Sequence, residues 1–357
     1  MPSKYQIISE LASRTARDIT SKAERYTDFL VTAANNYKYS FKEQLLIHAQ
    51  KPDATACAEI ETWNRLGRWV NKGTRGIALL VDRDVPYKLR HVFDYSDTNS
   101  RAGRVITLWQ MRPQYEETVR ESLQDSFGEV ELMADFPHFL IEISKNAVED
   151  NFSDYLSNLQ SVKGDSFLEE LDDLNLEVWL KDTLRSSVAY MALVRAGYQP
   201  NLYFTRDDFS HIYDFNTIPV ISVLGAATSD ISEMVIREIA ETVKGLEKEE
   251  KQRNRTFARD RSSEYHDSRN NKTERSNEDG TDLYDAGRLS DPRPDRAGEP
   301  EDWEVWNAAS DLPSRAPGRN LHRDAPQRNA EQPSGGSGRS GQPDDGQADR
   351  ADEDAQR

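Results

Sequence analysis

The chain has a single cysteine, Cys57, among its 357 residues. One thiol can form neither a disulfide framework nor a cysteine-based zinc site. No run approaches the roughly 18 apolar residues of a membrane span, and the first residues, Met1–Lys4, lack the apolar segment of a secretory signal. These absences predict a soluble, cytoplasmic protein without a membrane partner.

Motifs of known catalytic chemistry are also missing. The paired histidines of zinc proteases and the G-x-x-x-x-G-K-[ST] string that cradles phosphates do not occur. Asp94 and Asp97 near His91 resemble a metal cluster, but a strand that ends in a capped turn explains them better. We therefore expect a protein that is not an enzyme and that uses no metal and no cofactor.

Apolar residues and positive charge are both scarce in the chain as a whole. The hydrophobic share is 36%, against roughly 45–50% in globular chains, so part of the chain is expected not to fold. The formal net charge is −17, but residues 1–115 carry 18 basic and 12 acidic residues, a net of +6. Residues 116–245 carry a net of −16, and residues 246–357 carry −7. This asymmetry predicts three segments with different properties.

The first segment is predicted to be an α+β domain, residues 1–115, in which helices accompany a small antiparallel sheet. Apolar spacing predicts one long amphipathic helix, with Ile8, Leu11, Ile19, Ala23, Tyr26 and Leu30 on its buried face. A second helix is expected to begin at Ser40, where Glu43 completes a capping box, and to end at Pro52.

A third helix is expected from about residue 55 to 66, with Cys57 on its apolar face and Gly67 ending it. Beyond it the apolar pattern changes to that of strands. The predicted strands are 77–81, 89–95 and 105–109, and the loop at 84–87 is expected to close a hairpin between the first two.

The second segment, residues 116–245, is predicted to be an acidic all-α region of four to six helices. A capping box at Ser166 and Glu169 is expected to begin one of them. Two apolar stripes are expected to end at Gly197 and Gly245, namely Leu180, Leu184, Val188 and Met191, and Ile231, Val235, Ile239 and Val243. Residues 246–357 are poor in large apolar side chains and are predicted to be a disordered tail.

The most informative stretch is 63–76, which interleaves four basic residues with two tryptophans and three glycines. Single-stranded nucleic acid is bound by cations along its phosphates and by aromatic faces that stack on its bases. Glycines let backbone amides approach an anion closely. With a basic and aromatic cluster upstream, the predicted DNA-binding residues are Lys38, Tyr39, Lys42, Trp63, Arg65, Arg68, Trp69, Lys72, Gly73, Arg75 and Gly76.

Two alternatives stay open for these residues. Trp63 lies on the apolar side of its predicted helix, so it is a candidate core residue as well as a stacking platform. The cations Arg68, Lys72 and Arg75 also fit a solvated turn without a ligand. Trp69 or Tyr39 would stack on a base if the stretch binds DNA.

At these residues the chain resembles the N-terminal domain of ArdC-type antirestriction proteins. The resemblance rests on Tyr39–Phe41 with 44–47, on Trp63, and on the V-x-K-G-x-x-G turn at Val70–Gly76 that leads into the strand at 77–81. It covers about residues 5–112. The resemblance implies a single-stranded DNA-binding domain of plasmids and conjugative elements.

The chain departs from that family at two points. Antirestriction members continue into a zinc metallopeptidase domain, and no H-E-x-x-H motif occurs here; Thr74–Arg75 also replace the usual Glu–Lys. The fuller arrangement is similar to the N-terminal region of very large mobile-element proteins of Gram-positive bacteria, in which methylase and helicase domains follow. This similarity implies a truncated or split version of such a protein.

The leading expectation is therefore a non-enzymatic single-stranded DNA-binding module of a mobile element, related to antirestriction functions. Its expected partners are single-stranded DNA and the helicase, methylase or other DNA-processing proteins of the same element. The alternative is an interaction protein whose acidic segment, 116–245, mimics DNA or docks on a basic DNA-processing enzyme.

Overall fold

The computed structural model describes residues 2–81, 88–100, 108–131 and 135–275, with side chains up to residue 256. Within these ranges the chain is mostly helical and carries a small antiparallel sheet. The helices are α1 (Lys4–Ile19), α2 (Ala23–Asn35), α3 (Phe41–Gln50), α4 (Ile60–Arg65), α5 (Glu116–Phe127), α6 (Phe136–Val162), α7 (Asp173–Ala196) and α8 (Ile218–Arg275). The strands are β1 (Cys57–Ala58), β2 (Trp69–Val70), β3 (Ile77–Leu80), β4 (Leu89–Asp94) and β5 (Thr98–Asn99).

The strands form two small antiparallel sheets. In the first sheet β4 lies between β1 and β3, and Ile77 of β3 is paired with Val92 of β4. In the second sheet β2 pairs with β5, which places Trp69 opposite Asn99. The predicted strands at 77–81 and 89–95 are therefore confirmed, and so is the small antiparallel sheet.

The predicted third strand and the predicted hairpin loop are not described in full. The loop at 84–87 and residues 105–107 of the strand lie outside the described residues. Leu108 and Trp109, the last two residues of that prediction, are described and belong to no strand, and Trp109 is buried instead.

The predicted long first helix is wrong, because the chain breaks between α1 and α2. Thr20 Oγ1 donates to the carbonyl of Arg17, and Ser21 Oγ donates to that of Asp18. Such side-chain bonds to the preceding turn compete with continuation of the helix. The second prediction is confirmed: Ser40 precedes α3, and its N–H donates to Glu43 Oε2 at 3.1 Å.

The predicted third helix is wrong over its first half. The buried carboxylate of Asp94 accepts the backbone N–H groups of Thr55 and Ala56 at 2.7 and 2.9 Å, which holds this segment extended. Cys57 accordingly lies in β1, and only the short α4 is helical. Gly67 ends that helix as predicted, with a φ of +70° that favours glycine.

The N-terminal helices and the helical region share one hydrophobic core. Buried residues of α2 and α3 belong to the same cluster as buried residues of α5, α6, α7 and α8. Polar contacts join the same elements: Tyr26 of α2 hydrogen-bonds Ser187 of α7 at 2.9 Å, and Ser229 of α8 donates to the carbonyl of Tyr39 at 3.1 Å. The domain boundary at residue 115 stays a prediction. The structure shows that helices on both sides of it pack together.

The region 116–245 contains α5, α6, α7 and the apolar part of α8, and both predicted apolar stripes are buried. The predicted helix start at Ser166 is wrong. Ser166 Oγ donates to the carbonyl of Lys163 within a turn, and α7 begins instead after Asp172, whose side chain accepts from Asn175 N.

Helix α7 ends at Gly197 as predicted, but α8 does not end at Gly245. It continues to Arg275 through residues rich in Glu, Lys and Arg, which favour helix. The helix thus extends into the segment that was predicted to be a tail from residue 246, and residues 276–357 lie outside the described residues.

One helix of the described chain, Ile218–Thr256, is long and apolar enough to cross a membrane by length and composition. In the structure 56% of the apolar window is buried within the protein.

Candidate nucleic-acid interface

A tight turn between β2 and β3 presents the most basic part of the predicted site. Thr74 N–H donates to the carbonyl of Asn71 at 3.1 Å, and Gly73 has a φ of +90°, which side chains other than glycine rarely adopt. This geometry places Lys72 and Arg75 on the surface, and both are exposed. The turn therefore offers two cations to the solvent within four residues.

Neighbouring residues extend this surface. Trp69 is 44% exposed although it lies in a strand, and Arg65 is exposed at the end of α4. Within the described ranges, Arg65, Lys72 and Arg75 form no ion pair with a carboxylate. We call Arg65, Trp69, Lys72, Gly73 and Arg75 together the basic turn.

Two of the predicted aromatic residues are buried instead of exposed. Tyr39 is 4% exposed, and its hydroxyl donates to the carbonyl of Cys57 at 2.7 Å. Trp63 is 4% exposed, and its Nε1 donates to the carbonyl of Phe93 at 2.8 Å. Both side chains join α3 and α4 to the sheet, so neither presents a ring to a base in this conformation. For Trp63 the core alternative is the one observed.

Arg68 is also used inside the protein. It is 7% exposed, its Nε donates to Thr98 Oγ1 at 2.7 Å, and its Nη2 donates to the Thr98 carbonyl at 2.9 Å. The guanidinium lies 4.1 Å from the ring centre of Tyr95. These contacts tie β2 to β5, so the predicted phosphate contact of Arg68 is not available in this conformation.

The remaining predicted residues have other surroundings. Gly76 is packed closely, because a Cβ there would lie 3.0 Å from the Phe93 ring and 3.1 Å from His91 Cβ. Lys42 is half-buried in the first turn of α3. Lys38 is half-buried and lines a separate cavity that Arg195 also lines. The structure thus brings together only part of the predicted set at the basic turn.

A groove of about 880 Å³ runs between α1 and the basic turn. Arg75 and Thr74 line one side, and Arg14 of α1, which the sequence analysis missed, lines the other. Arg14 is exposed and has no acidic partner among the described residues. The only signal for it was its polar position on an amphipathic helix, which does not distinguish a ligand contact from solvation.

The third cation of the groove, Lys51, is already paired. Its Nζ lies 2.9 Å from Asp97 Oδ1. Burial alone would lower the pKa of Lys51, but the hydrogen bond and charge of Asp97 outweigh burial and raise it. Glu10 adds one exposed acid to the groove. The groove is therefore of mixed charge, with its uncompensated positive charge at Arg14 and Arg75.

Asp94 and Asp97 are structural residues in this arrangement. Asp94 caps the turn after β4 by accepting from Ser96 N at 2.9 Å, as the sequence indicated for a capped strand end. In the described part of the chain, no group of three or more His, Cys, Asp or Glu side chains is arranged to hold a metal ion.

Comparisons of the chain with models of protein families, with curated proteins and with solved structures found no match.

Proposed function

We propose that this chain is a non-enzymatic single-stranded DNA-binding module of a conjugative or other mobile element. The observation that carries the proposal is the basic turn, where Lys72 and Arg75 are exposed beside Trp69 and have no carboxylate partner in the described residues. Cations next to an exposed aromatic ring are the combination that single-stranded binding uses.

The proposed interaction has two parts. Lys72 and Arg75 neutralise phosphates of the strand, and Arg14 across the groove adds a third cation along its path. Trp69 stacks on one base, a contact that is worth about 1–3 kcal/mol and tolerates any sequence. Gly73 keeps the turn free of a side chain, so the backbone of the strand can approach it closely.

The segmental charge and the resemblance support the same function. The turn belongs to the one segment that is net positive, residues 1–115. The V-x-K-G-x-x-G pattern of ArdC-type domains falls on this turn, which is consistent with a shared way of holding DNA. The proposal therefore keeps Arg65, Trp69, Lys72, Gly73 and Arg75 as site residues and adds Arg14.

Fluorescence anisotropy with a labelled oligothymidine tests the proposal on the full chain. We expect binding at low salt and a Lys72→Ala/Arg75→Ala variant that binds at least about tenfold more weakly. Its plot of log K against log salt should be less steep by about 1.4, because each phosphate contact contributes about 0.7 on single strands.

A matched control removes the same charge elsewhere. Lys145 and Arg185 lie in the helical region and are paired with Glu142 and Glu149. A Lys145→Ala/Arg185→Ala variant should bind DNA like the wild type. Equal loss in both double variants would show a net-charge effect and reject the basic turn. Absence of any binding at low salt would reject DNA binding and leave the acidic interaction protein as the function to test.

A further inference from the structure

Four basic residues from three separate parts of the chain gather away from the basic turn. Lys38 follows α2, Arg195 lies near the end of α7, and Arg237 and Lys244 lie two turns apart on α8. The charges of Lys244, Arg237 and Arg195 all act to lower the pKa of Lys38, and Lys38 and Arg195 line the same cavity. We call these four residues the junction cluster, because they lie where the N-terminal helices meet the helical region.

The two cations at the centre of the junction cluster lack acidic partners in the described residues. Arg195 Nη1 donates to the carbonyl of Trp109 at 3.3 Å, and the guanidinium lies 3.8 Å from the Trp109 ring centre. Lys38 Nζ lies 5.8 Å from the ring centre of Tyr37. Arg237, in contrast, is paired with Glu233. Lys38 and Arg195 are thus half-buried without a carboxylate in ion-pair contact, and Glu233, the acid that acts on Lys38, is already paired with Arg237.

Burial of these charges is unfavourable. Burial, followed by the charges of Lys244 and Arg237, lowers the pKa of Lys38 to about 8. Burial also lowers the pKa of Arg195 to about 10. Buried charges in proteins are normally paired, so a cluster of like charges is compensated best by an anion from outside the chain.

A cavity beside the two cations has room for such an anion. Its volume is about 70 Å³, and Lys38, Arg195, Tyr37 and Trp109 are among its lining residues. This volume is several times the roughly 10–15 Å³ that one water molecule needs, which is enough for a small tetrahedral anion. Trp109 Nε1 is buried and lies near the Tyr37 hydroxyl, but it forms no well-aligned hydrogen bond with a described residue. The cavity therefore combines an unused N–H donor with two cations.

We propose that the junction cluster binds a phosphate group, with Arg195 and Lys38 as the charged donors and Trp109 Nε1 as a neutral one. The guanidinium of arginine matches the oxygens of phosphate with parallel N–H donors. The phosphate comes either from a small molecule or from the end of a DNA strand.

Binding of inorganic phosphate to the full chain, followed by calorimetry, tests the proposal. We expect heat of binding and a rise in melting temperature with phosphate, beyond the effect of chloride at the same ionic strength. Arg195→Gln should weaken phosphate binding at least about tenfold, because a charge-assisted hydrogen bond is lost. Arg185→Gln, on the same helix but paired with Glu149, should bind like the wild type.

Lys38→Met provides a second variant if Arg195→Gln does not fold. It should be at least as stable as the wild type in phosphate-free buffer, because a poorly compensated charge is removed, and it should bind phosphate more weakly. No phosphate effect beyond chloride in the wild type would overturn the proposal, as would unchanged affinity in a folded Arg195→Gln or Lys38→Met variant.

Oligothymidines with a 5′-phosphate or a 5′-hydroxyl distinguish the two sources. Stronger competition by the 5′-phosphorylated strand than by inorganic phosphate supports the site with a DNA end as its ligand. Equal competition by the 5′-phosphorylated strand and by inorganic phosphate supports the site with a small phosphate as its ligand. Because Lys72 and Arg75 are absent from the junction cluster, failure of the DNA proposal leaves phosphate binding intact, and the reverse is also true.

Discussion

Substitution of Gly225 by alanine tests the contact that joins the N-terminal helices to the helical region. Gly225 lies on α8, and a Cβ there would lie within 3.0 Å of several atoms of the Phe41 ring, a distance that real Cβ atoms essentially never reach. The ring cannot move away easily, because Phe41 is buried and packs edge-on against Phe29 at 5.7 Å. The substitution therefore overpacks the shared core.

The expected magnitude follows from two opposing effects. Overpacking costs about 1–3 kcal/mol, and three overlapping ring atoms place this site near the upper value. Alanine in place of glycine favours a helix by about 1 kcal/mol. The net destabilisation of Gly225→Ala is then about 2 kcal/mol, or about 4–8 °C in melting temperature for a folded part of this size.

The same helix offers a matched control at Gly245. A Cβ at Gly245 would meet no atom within 4 Å, so Gly245→Ala should be stabilised by up to about 1 kcal/mol. Urea unfolding followed by circular dichroism measures both variants, and we expect their free energies of unfolding to differ by about 3 kcal/mol. Equal stability of Gly225→Ala and wild type would refute the packing of α3 on α8, and with it the shared core.

Three further predictions concern residues whose burial the structure assigns. Tyr39→Phe should lose about 1 kcal/mol of stability, because the hydrogen bond to the Cys57 carbonyl is removed. Its affinity for oligothymidine should equal that of the wild type. Reduced DNA affinity at unchanged stability would instead show that Tyr39 contacts DNA. Burial, reinforced by the charge of Asp94, raises the pKa of Cys57. A thiol reagent at pH 8 should therefore modify Cys57 only at the rate of unfolding. Fast reaction of the native protein would contradict the burial of this thiol. Burial raises the pKa of Asp94, but hydrogen bonds from Ser96, Ala56 and Thr55 outweigh it and lower the pKa overall. The resulting stabilisation is fully present above the unfolded pKa of about 3.9 and is lost as the pH falls through the lower folded value. Asp94→Asn should therefore be less stable than the wild type at pH 7 by about 2 kcal/mol or more, and it should lose less stability on acidification. Parallel plots of unfolding free energy against pH for the two proteins would refute this role.

Features that depend on a few adjacent residues could be predicted from the sequence. The capping box at Ser40 and Glu43 and the end of α4 at Gly67 are set by hydrogen bonds within one turn. The strands at 77–81 and 89–95 were visible because their apolar residues differ from the helical pattern before them. The exposed turn at Lys72 and Arg75 follows from its glycines and charges.

Features that depend on distant residues could not be predicted in this way. Helical spacing favoured a helix at Cys57, but the carboxylate of Asp94, 37 positions further along the chain, holds that segment extended. The spacing of apolar residues also does not show which element the buried face of a helix or strand packs against. Tyr39 and Arg68 therefore seemed available to DNA, whereas one is fixed by a backbone carbonyl and the other by Thr98.

The shared core bears on how the charge of the chain would act on a bound DNA strand under the proposed function. The net charges of +6 and −16 were assigned to segments that seemed independent, but α1, α2 and α3 of the first segment share a core with the helices of the second. The buried residues of the strands and of α4 form two smaller clusters. Under the proposed function, a DNA strand bound at the basic turn would also be repelled by any acids of the helical region within about 10 Å of it at 0.1 M salt. Added salt weakens the attraction of Lys72 and Arg75 and at the same time screens this repulsion. The salt dependence of binding by the full chain should therefore be shallower than the number of phosphate contacts alone predicts, and it should steepen when exposed acids of the helical region are replaced by their amides.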